Sequence, residues 1–424
     1  MQIIDPTQLD LSTLVRPGDT VMWGQGSAEP TMLTRALMEQ RQSIGPFRAL
    51  IGMTWADTLK PEHADTVSFL SYCGAGRNRA LARAKVLDIW PGHYSDLPRQ
   101  VAGGELHVDV LMLQLSPPDE HGRYSLSMAC EYLAPALASA RCIVAEINDQ
   151  APWTHGPISL GADDIHYALH ASYAPVDAPS VGSGGEVEQA VARRVAGLID
   201  DGATLQCGIG SLPEAVLRQL HDRRDLGLHS GALVDQAAVL AGEGVITNAC
   251  KTIDRGVSVA GVLMGTKTVR DYAHRNPTVE LRSVAYTHCV DVLARIDRFV
   301  AINSAIEVDL SGQVNTEVAA GLYVGAVGGA NDFVRGAHRS RGGLPIIALP
   351  SRASSTERPL PRIVAQLSGP ASIPRSDAGI IVTEHGIADL RGLTLAQRMR
   401  QMIDIAHPDD REALERVAGM QVRP

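Results

Sequence analysis

The sequence Gly18-Asp-Thr-Val-Met-Trp-Gly-Gln-Gly-Ser27 recurs later in the chain as Gly202-Ala-Thr-Leu-Gln-Cys-Gly-Ile-Gly-Ser211. Each copy reads as a Gly-x-Thr turn, a short apolar strand and a Gly-x-Gly-Ser turn that leads into a helix. In the second copy, Ser211-Leu-Pro-Glu214 has the form of a capping box with a proline in the first helical turn. The recurrence predicts two units of related design.

A second pair of segments repeats in the same order. His107-Val-Asp-Val-Leu-Met-Leu-Gln-Leu-Ser116 leads to Asp119-Glu-His-Gly122, and Arg298-Phe-Val-Ala-Ile-Asn-Ser304 leads to Asp309-Leu-Ser-Gly312. Strands that alternate with helices predict a mostly parallel sheet flanked by helices in each half, and therefore an α/β protein. Because such sheets bind ligands beyond the carboxyl ends of their strands, we expect the active site between the two halves.

Chain length and a linker-like segment indicate where the halves divide. A chain of 424 residues is longer than a single hydrophobic core usually grows. The segment from Ala174 to Gly185 is rich in Pro, Gly and Ser, and Glu186 begins an amphipathic pattern with Val191 and Val195 on one face. We predict an N-terminal domain over residues 1–183 and a C-terminal domain over residues 184–424.

Composition excludes several classes of partner. The net charge of -9 and the lack of a Lys/Arg run argue against nucleic acid and against anionic membrane surfaces. No signal peptide and no apolar run of ~18 residues is evident, so we expect a soluble cytoplasmic protein. The six cysteines are scattered without a Cys-x-x-Cys or Cys/His cluster, and we expect neither a metal site nor a disulfide framework.

Two glycine-rich segments are candidates for contact with a ligand. The turn Gly208–Leu212 follows a strand and opens a helix, where backbone N–H groups and the helix dipole favour an anion or a developing oxyanion. It lacks the third glycine of a dinucleotide fingerprint and the GK[ST] of a P-loop, which argues against NAD and ATP. The second segment, Gly321–Gly336, is either a loop with a local Asp332–Arg335 ion pair or a backbone wall for an extended ligand.

Several further stretches resemble one family, the acetyl-CoA hydrolases and 4-hydroxybutyrate CoA-transferases. In the C-terminal half they are Ile302–Glu317, Val327–Phe333, Ile346–Ser351, Ile381–Gly386 and Ile405–Arg411; in the N-terminal half they are Leu115–Ser125 and Glu146–Asn148. The resemblance implies a CoA-transferase-like fold for each half, a homodimer or higher assembly, and an acyl-CoA or acyl-carrier thioester substrate with a small acceptor. It implies no permanently bound cofactor, since coenzyme A enters as substrate.

The resemblance also implies roles for particular residues. Those expected to hold coenzyme A are Gly208, Ile209, Gly210, Ser211 and Leu212, and those expected to line its pantetheine arm are Gly325, Gly328 and Gly329. In Asp225-Leu-Gly-Leu-His-Ser-Gly231, the triplet His229-Ser230-Gly231 stands where the family has His-Thr-Glu. That glutamate is the family's nucleophile.

Glycine cannot replace a carboxylate nucleophile. Attack of the carboxylate on an acyl-CoA thioester gives an anhydride, and returning CoA thiolate then stores the thioester energy as a glutamyl-CoA. With Gly231 at this position, we expect that route to be lost or rerouted. The open outcomes are CoA transfer between carboxylates, thioester hydrolysis, acyl transfer to a non-carboxylate acceptor, and acyl-CoA binding without catalysis.

Three substitutes for the absent carboxylate follow from the sequence. Ser230 stands beside His229, although neighbours on a strand point to opposite faces and a direct dyad is disfavoured. Other polar groups at strand ends or in loops are further candidates, namely Glu29, Asp119, His121 and Glu317. Alternatively, backbone donors polarise the thioester and water or another acceptor attacks directly, each donor contributing on the order of 3 kcal/mol.

Overall fold

The protein divides into two compact units that are not contiguous in sequence. A computed structural model describes residues 1–180, 182, 184–353 and 359–421. The first unit comprises Met1–Pro179, Gly231–Ala238 and Val257–His288; the second comprises Ser180–Ser230, Val239–Gly256 and Cys289–Pro424. Two later segments of the chain therefore return to the first unit. The predicted domain boundary after residue 183 stays a prediction, and Ser183 itself lies outside the described residues.

The first unit is built on an eight-stranded sheet in which every neighbouring pair is parallel. In sheet order its strands are Gln2–Ile3, Tyr167–Ala171, Cys142–Asn148, Val110–Leu115, Thr20–Trp23, Phe47–Ile51, Val67–Ser71 and Leu87–Ile89. After Thr20–Trp23 the chain adds three strands on one side, and then continues with Val110–Leu115 on the other. The carboxyl ends of these two central strands therefore form a topological switch point, where parallel sheets open a crevice for ligands.

The second unit has the same plan with six strands. In sheet order they are Gly227–Leu228, Thr204–Cys207, Phe299–Ser304, Leu344–Ala348, Ile380–Thr383 and Gly386–Asp389. All neighbours are parallel except the last pair. Its switch point lies between Thr204–Cys207 and Phe299–Ser304. The predicted α/β class, with a mostly parallel sheet in each half, is confirmed.

Short strand pairs and helices complete both units. The small strands are Tyr124–Ser125, Ser159–Leu160, Ala232–Leu233, Ser258–Ala260, Val262–Leu263, Val279–Leu281, Glu307–Asp309, Val314–Asn315, Val318–Ala319, Leu322–Tyr323 and Ile363–Val364. The α-helices are Thr31–Glu39, Arg41–Ile44, Asn78–Arg83, Leu97–Gly103, Leu133–Ser139, Glu186–Ala196, Ser211–Leu217, Asp235–Gly242, Lys267–Ala273, Val284–Thr287, Val290–Leu293, Ala330–Arg339, Leu395–Asp404 and Pro408–Gln421. Single 3-10 turns occupy Pro6–Gln8, Leu11–Thr13, Gly26–Ala28, Pro61–Asp65, Tyr94–Asp96, Ala162–Asp164 and Arg375–Asp377. Within the described ranges, no helix combines the length and apolar character needed to cross a bilayer.

The helix predicted after Glu186 is confirmed, whereas the predicted cap of the following helix is wrong. Val191 and Val195 are fully buried on one face of Glu186–Ala196. Gly210, not Ser211, is the N-cap of Ser211–Leu217, and no side chain caps that helix. The Ser211 hydroxyl instead donates to the Glu188 carboxylate at 3.1 Å, because the neighbouring helix offers a charged acceptor.

The Asp-x-x-Gly repeat is reproduced down to its hydrogen bonds. One carboxylate oxygen of Asp119 accepts the N–H groups of residues 121 and 123, at 2.9 and 2.8 Å. One oxygen of Asp309 accepts those of residues 311 and 313, at 2.8 and 3.0 Å. Gly122 and Gly312 have φ of 74° and 94°, in the left-handed region that glycine adopts without strain. Each unit therefore contains the same turn a few residues after a central strand.

Removing the Asp309 carboxylate, which holds the buried copy of this turn, should destabilise the protein. We expect Asp309→Ala to lower the free energy of unfolding by about 3 kcal/mol, because it leaves buried N–H groups without their charged acceptor. Asp119→Ala, at a half-buried turn, should cost less, and Asp309→Asn should retain part of the stability. Urea unfolding followed by circular dichroism measures all three. Equal stability of Asp309→Ala and the parent protein would contradict this interpretation.

Candidate active site

The first two residues of the triplet are held by the second unit. His229 is fully buried, donates its backbone N–H to the Leu205 carbonyl at 2.9 Å, and lies edge-on to the Phe299 ring. The Ser230 hydroxyl donates to the carbonyl of Cys207 at 3.2 Å and accepts the N–H of the same residue at 3.4 Å. The Ser230 hydroxyl is therefore bound to the backbone of Cys207, at the end of the neighbouring strand, and forms no dyad with His229.

Gly231 belongs to the first unit, where it meets the backbone of a second glycine. Its carbonyl oxygen accepts the N–H groups of Gly261 and Val262, at 2.9 and 3.2 Å. On the other side of Gly261 lies Glu131: a Cβ added to Gly261 would stand 3.0 Å from the Gly231 carbonyl oxygen and 3.4 Å from the Glu131 Cβ. Gly261 is therefore a close neighbour both of Gly231, the predicted nucleophile position, and of Glu131.

Three of the predicted substitutes are engaged in or near structural turns. Asp119 holds the turn described above, and its backbone hydrogen bonds lower the pKa of its carboxyl. The neighbouring His121 side chain is exposed to solvent. Glu317 is buried and accepts hydroxyl hydrogen bonds from Ser372 at 2.7 Å and Tyr323 at 3.0 Å.

The remaining substitute, Glu29, is buried and lies near a second buried glutamate, Glu146, on strand Cys142–Asn148. One of its carboxylate oxygens accepts the hydroxyls of Thr34, at 2.8 Å, and Thr58. Glu146 lies nearby and accepts the Tyr173 hydroxyl. Burial raises the pKa of both carboxyls, that of Glu146 to about 7, and the nearby Glu29 contributes to the latter.

A third buried carboxyl, Glu131, belongs to no motif singled out in the sequence. Its Oε2 accepts the Gln25 amide at 2.6 Å and the Tyr94 hydroxyl at 2.7 Å. Its Oε1 is buried and has no hydrogen-bond partner within the part of the chain that the structure describes. Burial raises the pKa of this carboxyl to about 8, against the smaller lowering effect of the two donors. A tyrosine also fixes the amide: the Tyr72 hydroxyl donates to its oxygen at 2.5 Å.

One signal in the sequence points to this cluster. The two Gly-x-Gly-Ser turns differ at their second position, which is Gln25 in the first copy and Ile209 in the second. Gln25 is buried and binds Glu131, whereas Ile209 is 44% exposed. The first turn therefore carries a side chain that can hydrogen-bond to a carboxyl group, and the second turn carries one that cannot.

Thiol nucleophiles are disfavoured near these strands. Burial raises the pKa of Cys130, beside Glu131, to about 12, and that of Cys207 to about 12. Burial also raises the pKa of the Cys73 thiol, to about 11. Because the thiolate is the reactive form, these side chains act as buried hydrophobes.

The second unit contains two cavities at the carboxyl ends of its strands. The smaller, about 220 Å³, is lined by the glycine turn that the sequence assigns to coenzyme A, through residues 209–212, and by Ser304 at the switch point. The larger, about 660 Å³, shares Glu188, Pro350 and Arg362 with it. The predicted turn therefore borders an open space.

Arg362 is the cation common to both cavities. Its guanidinium has no ion pair within the described residues, and burial lowers the pKa of this group against the attraction of Glu188 and Glu384. Both carboxylates are occupied elsewhere: Glu188 accepts the Ser211 hydroxyl and Glu384 accepts the Ser351 hydroxyl. A half-buried, unpaired guanidinium is suited to binding a phosphate.

The second glycine segment contains a tight hairpin. A Cβ on Gly325 would lie 1.9 Å from the Thr316 carbonyl oxygen, so close backbone packing explains this glycine. Gly328 has a φ of 58°, and Gly329 is the N-cap of Ala330–Arg339. Arg335, expected to pair with Asp332, has its Nε 3.7 Å from the Asp377 carboxylate instead. Contact of Gly325, Gly328 and Gly329 with a pantetheine arm stays a prediction.

Comparison with known families and proteins gives one consistent result. Residues 7–177 match the acetyl-CoA hydrolase/transferase N-terminal domain, and residues 265–418 match the acetyl-CoA hydrolase/transferase C-terminal domain. Over 331 residues the chain is 40% identical to the 4-hydroxybutyrate coenzyme A transferase of Clostridium kluyveri, covering 77% of this chain and 76% of that protein.

Solved structures agree over the whole length. RipA from Yersinia pestis is 31% identical with a TM-score of 0.93, covering 99% of this chain and 97% of its own. The 4-hydroxybutyrate CoA-transferase of Porphyromonas gingivalis is 30% identical with a TM-score of 0.82, covering 99% of this chain and 98% of its own.

The buried Glu146 carboxyl predicts a stability that falls as the pH rises from acidic to neutral. A folded-state pKa of about 7 for Glu146, above the ordinary 4.5, gives stability that is fully present below pH 4.5 and is lost as the pH rises through 7. We expect Glu146→Gln to remove up to about 3 kcal/mol of this loss between pH 5 and pH 8. Thermal unfolding across that range measures it, with the exposed Glu62→Gln as control. Parallel pH profiles for Glu146→Gln and the parent protein would refute the assignment.

Proposed function

Because this chain belongs to the acetyl-CoA hydrolase/transferase family, we propose that it transfers coenzyme A from an acyl-CoA to a free carboxylate. The observation that carries the proposal is the match, over at least three quarters of the chain, to relatives that are themselves named CoA-transferases. The smaller cavity, at the switch point of the second unit, and the larger cavity that shares Arg362 with it support the proposal. In this proposal the catalytic carboxylate is not at position 231.

The proposed reaction conserves the thioester bond energy while one acid leaves and another enters. A covalent thioester on an enzyme carboxylate does this in two easier steps. Ser230 and the buried cysteines are unsuited to this role, because the Ser230 hydroxyl is bound to backbone and the cysteine pKa values are raised. We infer that a carboxylate elsewhere in the chain acts.

Coenzyme A binding is assigned to the second unit. We place its phosphates at Arg362 and its chain along the turn of residues 209–212, which borders the same cavity. A guanidinium without an ion pair among the described residues gains a charge-assisted partner when a phosphate enters, while the flanking carboxylates are already hydrogen-bonded.

Loss of this guanidinium should weaken binding of the nucleotide part alone. We expect Arg362→Ala to raise the KM for acyl-CoA about tenfold or more, and to leave kcat/KM for an acyl-pantetheine thioester nearly unchanged, since that substrate lacks the nucleotide phosphates. Steady-state kinetics with both thioesters test this. Arg416→Ala, which removes an arginine 70% exposed on a helix, is the matched control. If Arg362→Ala lowered kcat/KM equally for both thioesters, the phosphates of coenzyme A would not bind at Arg362.

Direct thioester hydrolysis is the second candidate, favoured by the glycine at position 231. The two reactions are separated by incubating the protein with acetyl-CoA, with and without butyrate, and following free thiol and butyryl-CoA independently. We expect butyryl-CoA to form faster than free thiol. Free thiol without butyryl-CoA would establish hydrolysis, and no turnover with any acyl-CoA would indicate a binding protein.

A further inference from the structure

We propose that Glu131 is the nucleophilic carboxylate of this protein, in place of the glutamate that its family carries at the position of Gly231. The inference rests on the proposed function, and it names the residue that the transfer reaction requires. Three observations carry it: the place of Glu131 at the switch point, its link to Gly231, and its unpartnered oxygen.

The residues that hold Glu131 follow strands of the first sheet. Gln25, which donates to Glu131, follows the central strand Thr20–Trp23 by two residues. Tyr72, which orients the Gln25 amide, directly follows Val67–Ser71. The carboxyl group is therefore held by residues at the carboxyl ends of the strands, the edge at which parallel sheets bind ligands.

The backbone connects Glu131 with the vacant position. The N–H groups of Cys130 and Glu131 both point to the Gly261 carbonyl, at 3.0 and 3.3 Å, while the N–H of Gly261 donates to Gly231 at 2.9 Å. Any side chain at Gly261 would contact both the Gly231 carbonyl oxygen and the Glu131 Cβ. Close packing thus excludes a side chain at Gly261, and the backbone of this glycine joins Gly231 to Glu131.

The hydrogen bonds of Glu131 leave one oxygen available for reaction. The side chain is 1% exposed, and both neutral donors bind Oε2. Oε1 is buried without a partner in the described ranges, which is costly unless a substrate atom completes the site. No cation contributes to the pKa of this carboxyl, so its negative charge, once formed, is not neutralised by an ion pair.

The chemistry then proceeds in balanced steps. Oε1 of ionised Glu131 attacks the thioester carbonyl carbon, a C–O bond forms, the C–S bond breaks, and CoA thiolate leaves an acyl-glutamyl anhydride. The thiolate attacks the Glu131 carbonyl carbon, giving glutamyl-CoA and releasing the first carboxylate. The acceptor carboxylate attacks glutamyl-CoA and expels the thiolate, which then attacks the acceptor acyl carbon. New acyl-CoA leaves, and Glu131 is regenerated.

The decisive variants are Glu131→Gln and Tyr94→Phe, compared with the parent protein and with Glu146→Gln, another buried carboxyl of the same unit. Butyryl-CoA formation from acetyl-CoA and butyrate is measured from pH 6 to pH 9. We expect Glu131→Gln to lose about 1,000-fold or more in kcat, and Glu146→Gln to stay within a few-fold of the parent protein. Circular dichroism verifies that each variant is folded.

The pH profile tests the assignment even if Glu131→Gln fails to fold. In the parent protein kcat/KM should rise through about pH 8, as Glu131 ionises. Tyr94→Phe removes a hydrogen bond that favours the ionised form, and should move this rise upward by roughly half a pH unit or more.

Each outcome decides between the claims. Transfer by the parent protein that persists in Glu131→Gln, or a profile that Tyr94→Phe does not move, would overturn the role of Glu131 and leave the proposed function intact. Failure of the parent protein to form butyryl-CoA from any acyl-CoA and acceptor pair would overturn the proposed function, and this assignment with it.

Discussion

A carboxyl group buried among neutral donors is the constraint on which the proposed chemistry of the first unit depends. Glu131 receives an amide and a phenol hydroxyl, with no cation among the causes of its pKa shift, and burial raises the pKa of the group to about 8. The two donors have different supports: Gln25 follows the end of a strand, and Tyr94 lies in a 3-10 turn. An arrangement of this kind favours reaction over stability, since replacing an unsatisfied buried carboxyl usually stabilises a protein.

Different candidate groups lie in the two units. The second unit has cavities, the glycine turn and Arg362, which has no ion pair among the described residues, and we propose that these bind a phosphate-bearing ligand. The first unit has Gly231, Gly261 and the Glu131 carboxyl. The related turns after the two central strands differ in the same way, since one carries a buried glutamine and the other an exposed isoleucine. The two units thus share a sheet plan and a switch point but differ in the residues of the turn.

The sequence predicted the fold more completely than the site. Strand and turn repeats are local patterns, so the parallel sheets and both Asp-x-x-Gly turns followed from short segments. The cap expected at Ser211 failed because a residue on another helix, Glu188, competes for its hydroxyl. Glu131 itself could not be predicted, for a similar reason. Its partners, Gln25 and Tyr94, lie far from it in sequence, and the burial that raises its pKa has no local sequence pattern.

In the proposed mechanism the enzyme thioester forms on Glu131. Borohydride reduces such a thioester to a primary alcohol, which peptide mass analysis locates after the parent protein has been incubated with acetyl-CoA. We expect the reduced glutamate in the tryptic peptide of residues 124–141. A reduced residue in any other peptide, or none in a preparation that forms butyryl-CoA, would contradict it.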